Sequence, residues 1–178
     1  MSRILLSFGL IVIAFADAHA DELRGKVVSI SDGDTVTVLD AKQKQYKVRL
    51  NGIDAPESSQ DFGQVSKRNL FSLIFGKEVV VVWQKIDRYS RIVGNVSFDG
   101  KDINLEQLKA GLAWYFRQYE RDVPADKRGA YAAAEAEARQ ARRGLVTSKS
   151  CSTVGISASR SRRVIAYTDK PGIRKNRR

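Results

Sequence analysis

Apolar and polar residues alternate, or β-branched residues form short runs, over much of the chain after residue 25. Turn residues separate these runs, the tightest being Ser31-Asp32-Gly33-Asp34. Apolar and polar residues that alternate with a period of two, in a segment bounded by turn residues, predict a β-strand. Five segments show this pattern: residues 26–31, 35–39, 45–50, 78–83 and 91–98.

Three other segments have the spacing of helices. Apolar residues recur at helical intervals over 64–75, and Gly76 follows them. Asn104 is a candidate N-cap because Gln107 follows three residues later, and Gly111 lies just past the end of this second helix. A third helix, rich in Ala, Glu and Arg, is predicted over 125–143.

The order of these elements predicts an α+β fold. One helix follows the third strand and two follow the fifth, which is the element count of a five-stranded OB-fold β-barrel with three helices. We find no internal repeat and expect one domain over 21–146.

The first twenty residues predict a signal peptide. Arg3 precedes an apolar run over 4–16, and Ala18-His19-Ala20 offers small residues at a cleavage site. The alternative is an uncleaved anchor, although the run is short for a membrane span. We therefore expect an exported protein, periplasmic or secreted, with no membrane attachment once the signal is cleaved.

The chain is basic, and the excess charge lies near its end. It has 31 Lys and Arg against 20 Asp and Glu, and residues 147–178 hold nine of the basic residues and one acid. Such a tail is expected to be disordered. It adds affinity for phosphate backbones, or it only keeps the protein soluble. The overall charge indicates an acidic partner, either nucleic acid or an anionic membrane.

Histidine and cysteine counts exclude several chemistries. Cleavage after Ala20 removes His19, the only histidine, and Cys151 is the only cysteine. Catalytic triads that use an imidazole and zinc sites built on thiolates are therefore excluded. Hydrolysis would have to use carboxylates, Arg, Lys, Tyr and a hard metal ion.

Three clusters of ionisable residues stand at turns: residues 32–35, 49–57 and 87–91. Hydrolysis of a phosphodiester needs oxygen ligands for a cation, guanidinium groups for the phosphate and a carboxylate to activate water. Asp34 and Asp54 would serve as ligands, Arg49 and Arg91 as phosphate binders, and Glu57 as the base.

In their order and spacing these clusters resemble the staphylococcal nuclease family, over roughly residues 27–145. The most specific part is Asp32-Gly33-Asp34-Thr35, followed by Arg49 and by Asp54-Ala55-Pro56-Glu57. Asp87-Arg88-Tyr89-Ser90-Arg91 and Gly111-Leu112-Ala113 recur in the expected order. Ala55 stands where the family frequently has Thr, and Ser90 where it has Gly.

The resemblance implies a role for each residue. The ligands of Ca²⁺ would be the Asp34 and Asp54 side chains and the Ala55 carbonyl, with Asp32 in the shell behind them. Glu57 would be the general base, and Arg49 and Arg91 would bind the phosphate. The nucleotide would contact Arg88, Tyr89 and Tyr119.

We therefore expect an exported, calcium-dependent endonuclease with little sequence specificity. Its substrates would be single- and double-stranded DNA and RNA. It would be a monomer with no stable protein partner. Two alternatives stay open: an OB-fold module that binds nucleic acid without cleaving it, and a cationic protein of the membrane surface whose function depends on the tail.

Overall fold

Five strands close into a barrel in the computed structural model, which describes residues 21–147. These strands are β1 Asp21–Ile30, β2 Thr35–Leu39, β3 Gln45–Leu50, β5 Glu78–Ile86 and β6 Ile92–Phe98. Antiparallel pairing gives the order β3-β2-β1-β5-β6, and parallel pairing of β3 with β6 closes the barrel. Two-residue strands are β4 Ile53–Asp54, β7 Lys101–Asp102 and β8 Trp114–Tyr115.

Three helices lie beside the barrel: α1 Gly63–Ile74, α2 Ile103–Lys109 and α3 Ala125–Gln140. Short 3₁₀ segments span Arg117–Asp122 and Gly144–Thr147. The predicted α+β fold, with a five-stranded OB-fold β-barrel and three helices, is confirmed.

Side chains along each strand point alternately into and out of the barrel, and those that point inward are mostly β-branched or other aliphatic residues. Each helix buries one apolar face, since its buried residues recur at helical spacing; α1 and α2 pack on the barrel, and α3 packs mainly on α2 and β8. α1 contributes Leu70 and Ile74, α2 contributes Ile103 and Leu108, and α3 contributes Tyr131. The barrel and helices therefore share one core.

Some predicted element boundaries were wrong. β1 begins at Asp21 rather than at 26, because Asp21 pairs with Trp83 of β5 and the residues after it continue this ladder. β5 continues to Ile86 rather than ending at 83, since it pairs with β6 up to Ile92. α3 ends at Gln140 rather than at 143.

The predicted N-cap of the second helix was also wrong. Asp102 caps α2, and its side chain accepts a hydrogen bond from Leu105 N at 3.1 Å. Asn104 is fully buried instead: its Oδ1 accepts from Val96 N at 3.0 Å and its Nδ2 donates to Asn51 O at 2.9 Å. The amide thus joins α2 to the barrel by satisfying backbone groups that water cannot reach.

Some of the sequence predictions lie outside the described residues. These are the signal peptide over 1–20, the tail beyond Thr147 and the state of Cys151. Among residues 21–147, no helix combines the length and the apolar character that a membrane span requires.

We expect Asn104→Ala to lower the free energy of unfolding by about 2 to 4 kcal/mol. The substitution leaves the buried Val96 N–H and Asn51 C=O unpaired, and each such group costs about 1 to 3 kcal/mol. Urea denaturation measures this loss. Lys109→Ala, at the surface of the same helix, is the control and should change stability by less than about 0.5 kcal/mol. An equally small effect of Asn104→Ala would contradict the role given to the amide.

Candidate active site

The turn between β1 and β2 places Asp34 in the protein interior. Ser31 N donates to Thr35 O at 2.9 Å, which closes the turn, and Asp34 N donates to Asp32 Oδ1 at 3.3 Å. Asp34 is only 3% exposed, and its Oδ1 accepts from Thr35 Oγ1 at 2.8 Å. The turn therefore holds a carboxylate where solvation is poor.

Residues of α1 and α2 pack against the same turn. A Cβ at Gly33 would lie 1.8 Å from Ser66 Oγ and 2.8 Å from the Ala55 Cβ, so no larger residue fits. Gln107 Nε2 donates to Gly33 O at 2.6 Å, and Ser66 Oγ donates to Leu112 O at 2.7 Å. Packing against α1 and α2 thus fixes the position of the turn.

Arg49 brings the two predicted acidic ligands together. Its Nη2 donates to Asp54 Oδ1 at 2.7 Å and lies 3.2 Å from Asp34 Oδ2. Asp54 belongs to β4 and pairs with Trp114 of β8, while Ala55 N donates to Asp34 Oδ2 at 3.1 Å. Because the two carboxylates contact one nitrogen atom, they lie on the same side of the barrel.

Burial differs sharply between the two acids. The Asp54 side chain is 43% exposed, whereas that of Asp34 is 4% exposed. Burial raises the pKa of Asp34 to about 7; the Arg49 cation opposes this rise and the nearby Asp32 adds to it. Burial also disfavours the charged form of Arg49, but the carboxylates of Asp34 and Asp54 outweigh it and raise its pKa.

The pair offers the donor atoms that a hard cation takes. Within residues 21–147, three or more His, Cys, Asp or Glu side chains nowhere cluster as a ligand set. Asp34 and Asp54 would therefore supply two carboxylates, and carbonyl and water oxygens would complete the shell, as Ca²⁺ allows. Ala55, whose carbonyl is the third predicted ligand, is adjacent to the acids, since its N–H donates to Asp34 Oδ2.

A second arginine stands at the start of β6. Asp87 holds it: Asp87 Oδ2 accepts from Arg91 Nε at 2.8 Å, and Asp87 Oδ1 accepts from Arg91 N at 3.0 Å and Tyr89 N at 2.8 Å. Burial opposes ionisation of Asp87, but these hydrogen bonds outweigh it and lower its pKa. The terminal amino groups of Arg91 donate to no described residue, so they are available to an anion.

Both arginines line one pocket of about 460 Å³. The predicted nucleotide contacts Arg88, Tyr89 and Tyr119 line it too. The Tyr89 ring is 62% exposed and lies 4.8 Å from the Arg88 guanidinium and 5.3 Å from that of Arg91. Asp32, Asp34, Asp54, Ala55 and Glu57 do not line the pocket. Arg49 therefore connects the acids to it.

Glu57 lies in the loop between β4 and α1 and is exposed. Its N–H donates to Gln60 Oε1 at 2.8 Å, while its carboxylate has no hydrogen bond or ion pair with any residue in 21–147. Ser58 Oγ donates to Ser31 O at 2.9 Å and so ties this loop to the turn that carries Asp34. The loop is adjacent to the acids, but Glu57 does not contact them.

The sequence is similar to those of known nucleases. The profile of the family described as "Staphylococcal nuclease homologue" matches residues 47–147. The chain belongs to this family. The resemblance drawn from the motifs is confirmed, and the chain is thereby a nuclease, an enzyme that hydrolyses phosphodiester bonds.

Individual relatives match two thirds or more of this chain. An "Uncharacterized endonuclease" of Haemophilus influenzae is 44% identical over 121 residues, 67% of this chain and 68% of the relative. A protein of the same description from Escherichia coli is 41% identical over 125 residues, 70% of this chain and 77% of the relative. A "Micrococcal nuclease" of Shigella flexneri is 39% identical over 144 residues, 76% and 79% of the two chains.

Sequence reasoning assigns no role to several residues that shape the nuclease site. Asp87 belongs to a predicted cluster, but the sequence does not identify it as the residue that orients Arg91. Gln107 fits a helix-capping pattern, whereas its amide supports the Asp34 turn. The spacing of Asp87 and Arg91, four residues apart around a turn, is a signal that indicates such a contact; for Gln107 no local signal exists.

The raised pKa of Asp34 predicts a pH-dependent stability in the presence of chelator. The folded protein holds the proton up to about pH 7, while the unfolded chain releases it near 3.8. Stability should therefore fall as pH rises between these values, by up to about 1.4 kcal/mol per pH unit. Asp34→Asn should remove this fall and be more stable than the unaltered protein at pH 7.

Thermal unfolding between pH 4 and pH 8 measures the effect. Asp54→Asn is the matched control, because it removes a carboxylate from the same arginine at an exposed position. It should keep the fall in stability. A curve for Asp34→Asn parallel to that of the unaltered protein would contradict the assignment.

Proposed function

We propose that this chain is an exported, calcium-dependent endonuclease that cleaves single- and double-stranded DNA and RNA with little sequence specificity. One observation carries the proposal: Arg49 contacts both Asp34 and Asp54 and lines the pocket that Arg91 also lines. A cation site and a phosphate site are thereby adjacent. The nuclease names of the relatives support the same function.

In this proposal Asp34, Asp54 and the Ala55 carbonyl hold the Ca²⁺ ion, with Asp32 behind them. When bound, the ion supplies positive charge beside the reacting phosphate. When Asp34 is ionised, the two carboxylates exceed the single positive charge of Arg49, and a cation would offset the remaining repulsion of an anionic substrate; this supports a metal requirement.

The arginines act on the phosphate. Attack by water increases the negative charge on the phosphate oxygens, and guanidinium groups held in place beforehand stabilise that charge. Arg91 is held through Nε by Asp87, and Arg49 through Nη2 by the two acids, so each keeps donors for the substrate. Glu57, whose carboxylate has no partner among the described residues, accepts the proton of the attacking water.

The pocket supports a broad substrate range. Tyr89 and Tyr119 are 62% and 44% exposed, and stacking on aromatic rings tolerates every base. Arg88 adds a charge for the phosphate backbone, which carries no sequence information. Contacts of these kinds depend on neither base identity nor the sugar, so they favour cleavage of RNA as well as DNA. We propose that the enzyme works as a monomer without a stable protein partner.

Activity should require Ca²⁺. The purified protein should degrade a circular plasmid and a linear single strand when Ca²⁺ is present, and chelator should abolish both activities. Cleavage of the closed circle reports endonucleolytic action. Activity that survives chelator would contradict the proposal, and tight binding without cleavage in Ca²⁺ would indicate a module that only binds nucleic acid.

Glu57→Gln and Arg91→Ala should each lower kcat by at least about a hundredfold, the scale of losing a general base or a transition-state donor. Asp61→Asn in the same loop and Arg68→Ala on α1 are exposed controls and should keep the unaltered rate. Circular dichroism checks that each variant is folded. Rates within twofold of the unaltered enzyme would overturn the roles given to Glu57 and Arg91.

Export should remove the first twenty residues. The protein collected from the periplasm or the medium of an expressing bacterium should begin at Asp21, as N-terminal sequencing or mass spectrometry would show. An exported protein that retains Arg3 would indicate an uncleaved anchor, and a protein found only in the cytoplasm would contradict export.

A further inference from the structure

A second cavity, of about 250 Å³, adjoins the active-site pocket. The two share part of their walls, namely Asn51, Lys85, Val93 and Asp122. An ion pair between Lys85 and Asp122 lies on this common boundary. A strand of nucleic acid that leaves the active-site pocket across this ion pair would reach the second cavity next.

The apolar part of the second cavity includes Trp83 and Pro124. Trp83 of β5 pairs with Gly94 of β6, and its side chain is partly buried against the core while it also lines this cavity. An aromatic ring at the wall of a cavity is the feature that binds a nucleobase by stacking.

Two buried amides supply polar groups to the same cavity. Asn51 and Asn95 are 6% and 8% exposed. Asn51 Nδ2 donates to Asn95 Oδ1 at 3.3 Å and to Asp122 O at 2.8 Å, and Asn95 Nδ2 donates to Tyr131 OH at 2.9 Å. Asn51 Oδ1 accepts nothing from residues 21–147, so it is an acceptor available to an N–H of a base.

The remaining walls are cationic. Arg128 is held by two backbone carbonyls, with Nε 2.9 Å from Val123 O and Nη2 3.0 Å from Arg121 O. The Arg121 guanidinium makes no hydrogen bond or ion pair in the described part of the chain, although it lines the cavity. With Lys85 these side chains outnumber the single carboxylate of Asp122, so the cavity favours a phosphate.

We propose that this cavity binds the nucleotide adjacent to the one in the active-site pocket. Its base would stack on Trp83 and hydrogen-bond to Asn51 Oδ1, and its phosphate would bind Arg121 and Arg128. The volume supports a single base, because it is smaller than the roughly 300 to 1,000 Å³ of sites for larger ligands. The proposal rests on the nuclease function, since it concerns the same substrate strand.

Binding measured in chelator tests the proposal without hydrolysis. The full-length protein would be titrated calorimetrically with 5′-phosphorylated thymidine mono- and dinucleotides. The second nucleotide should tighten binding by about tenfold, as expected for one stacked base. The gain is the Kd of the mononucleotide divided by the Kd of the dinucleotide. Trp83→Leu and Arg121→Gln should each reduce this gain to about threefold or less, while the Kd of the mononucleotide stays within twofold of that of the unaltered protein.

Two further variants separate the contacts of this cavity from general effects of substitution. Trp83→Phe keeps an aromatic ring and should keep most of the gain, and Arg68→Gln, an exposed arginine on α1, should keep all of it. The basic tail is present in every variant, so any contribution it makes to binding cancels when the Kd values of the variants are compared. An unchanged mononucleotide Kd shows that the variants are folded.

Two results would overturn the proposal: an unaltered protein that binds both ligands equally, or an equal gain in all variants. Cleavage of plasmid DNA with Ca²⁺ is measured on the same preparations. A protein that shows the predicted gain but does not cleave would contradict the calcium-dependent mechanism alone. A protein that cleaves but shows no gain would contradict only the second site.

Discussion

The parallel pairing of β3 with β6 is the contact on which the site depends. It joins Val48 with Ile92, Arg49 with Val93 and Leu50 with Gly94, and it closes the barrel between strands far apart in the chain. Because side chains alternate along a strand, a slip by one residue would turn the Arg49 side chain to the opposite face of the sheet. The same pairing sets Arg49 beside the strand that follows Arg91. Barrel closure therefore also sets the position of Arg49 relative to Arg91.

The two acids of the site differ in how well solvent stabilises their charged forms. Asp34 lies in the interior, where an ionised carboxylate is poorly solvated, and only Arg49 compensates for its charge directly. Asp54 shares that arginine but is open to solvent. The fold thus keeps one acid in an environment that disfavours its charged form. Sites that need strained or poorly solvated groups commonly lower the stability of the free protein in this way.

Sequence patterns predicted the strands because alternation and turn residues act locally. The identities of the acids and arginines followed from motifs, since the turns that carry them are also local. Long-range polar contacts could not be read in this way. Asn104 has the spacing of an N-cap, but its side-chain amide accepts a hydrogen bond from Val96 N in β6. Asp102 is the N-cap of the helix instead. In the sequence Asn51 belongs to a turn cluster and Gln107 to a capping pattern, and only the folded chain shows their buried partners.

Gly33 and Asp34 are adjacent in the turn between β1 and β2 but are subject to different physical constraints. Ser66 and Ala55 leave no room for a side chain at Gly33, so packing alone requires the glycine, whereas burial disfavours the charged form of Asp34 and packing gives no reason for an acid there. Packing therefore constrains position 33 and not the charge at position 34. A homologue without the acid could keep this turn, because it is the glycine that lets the turn fit against Ser66 and Ala55.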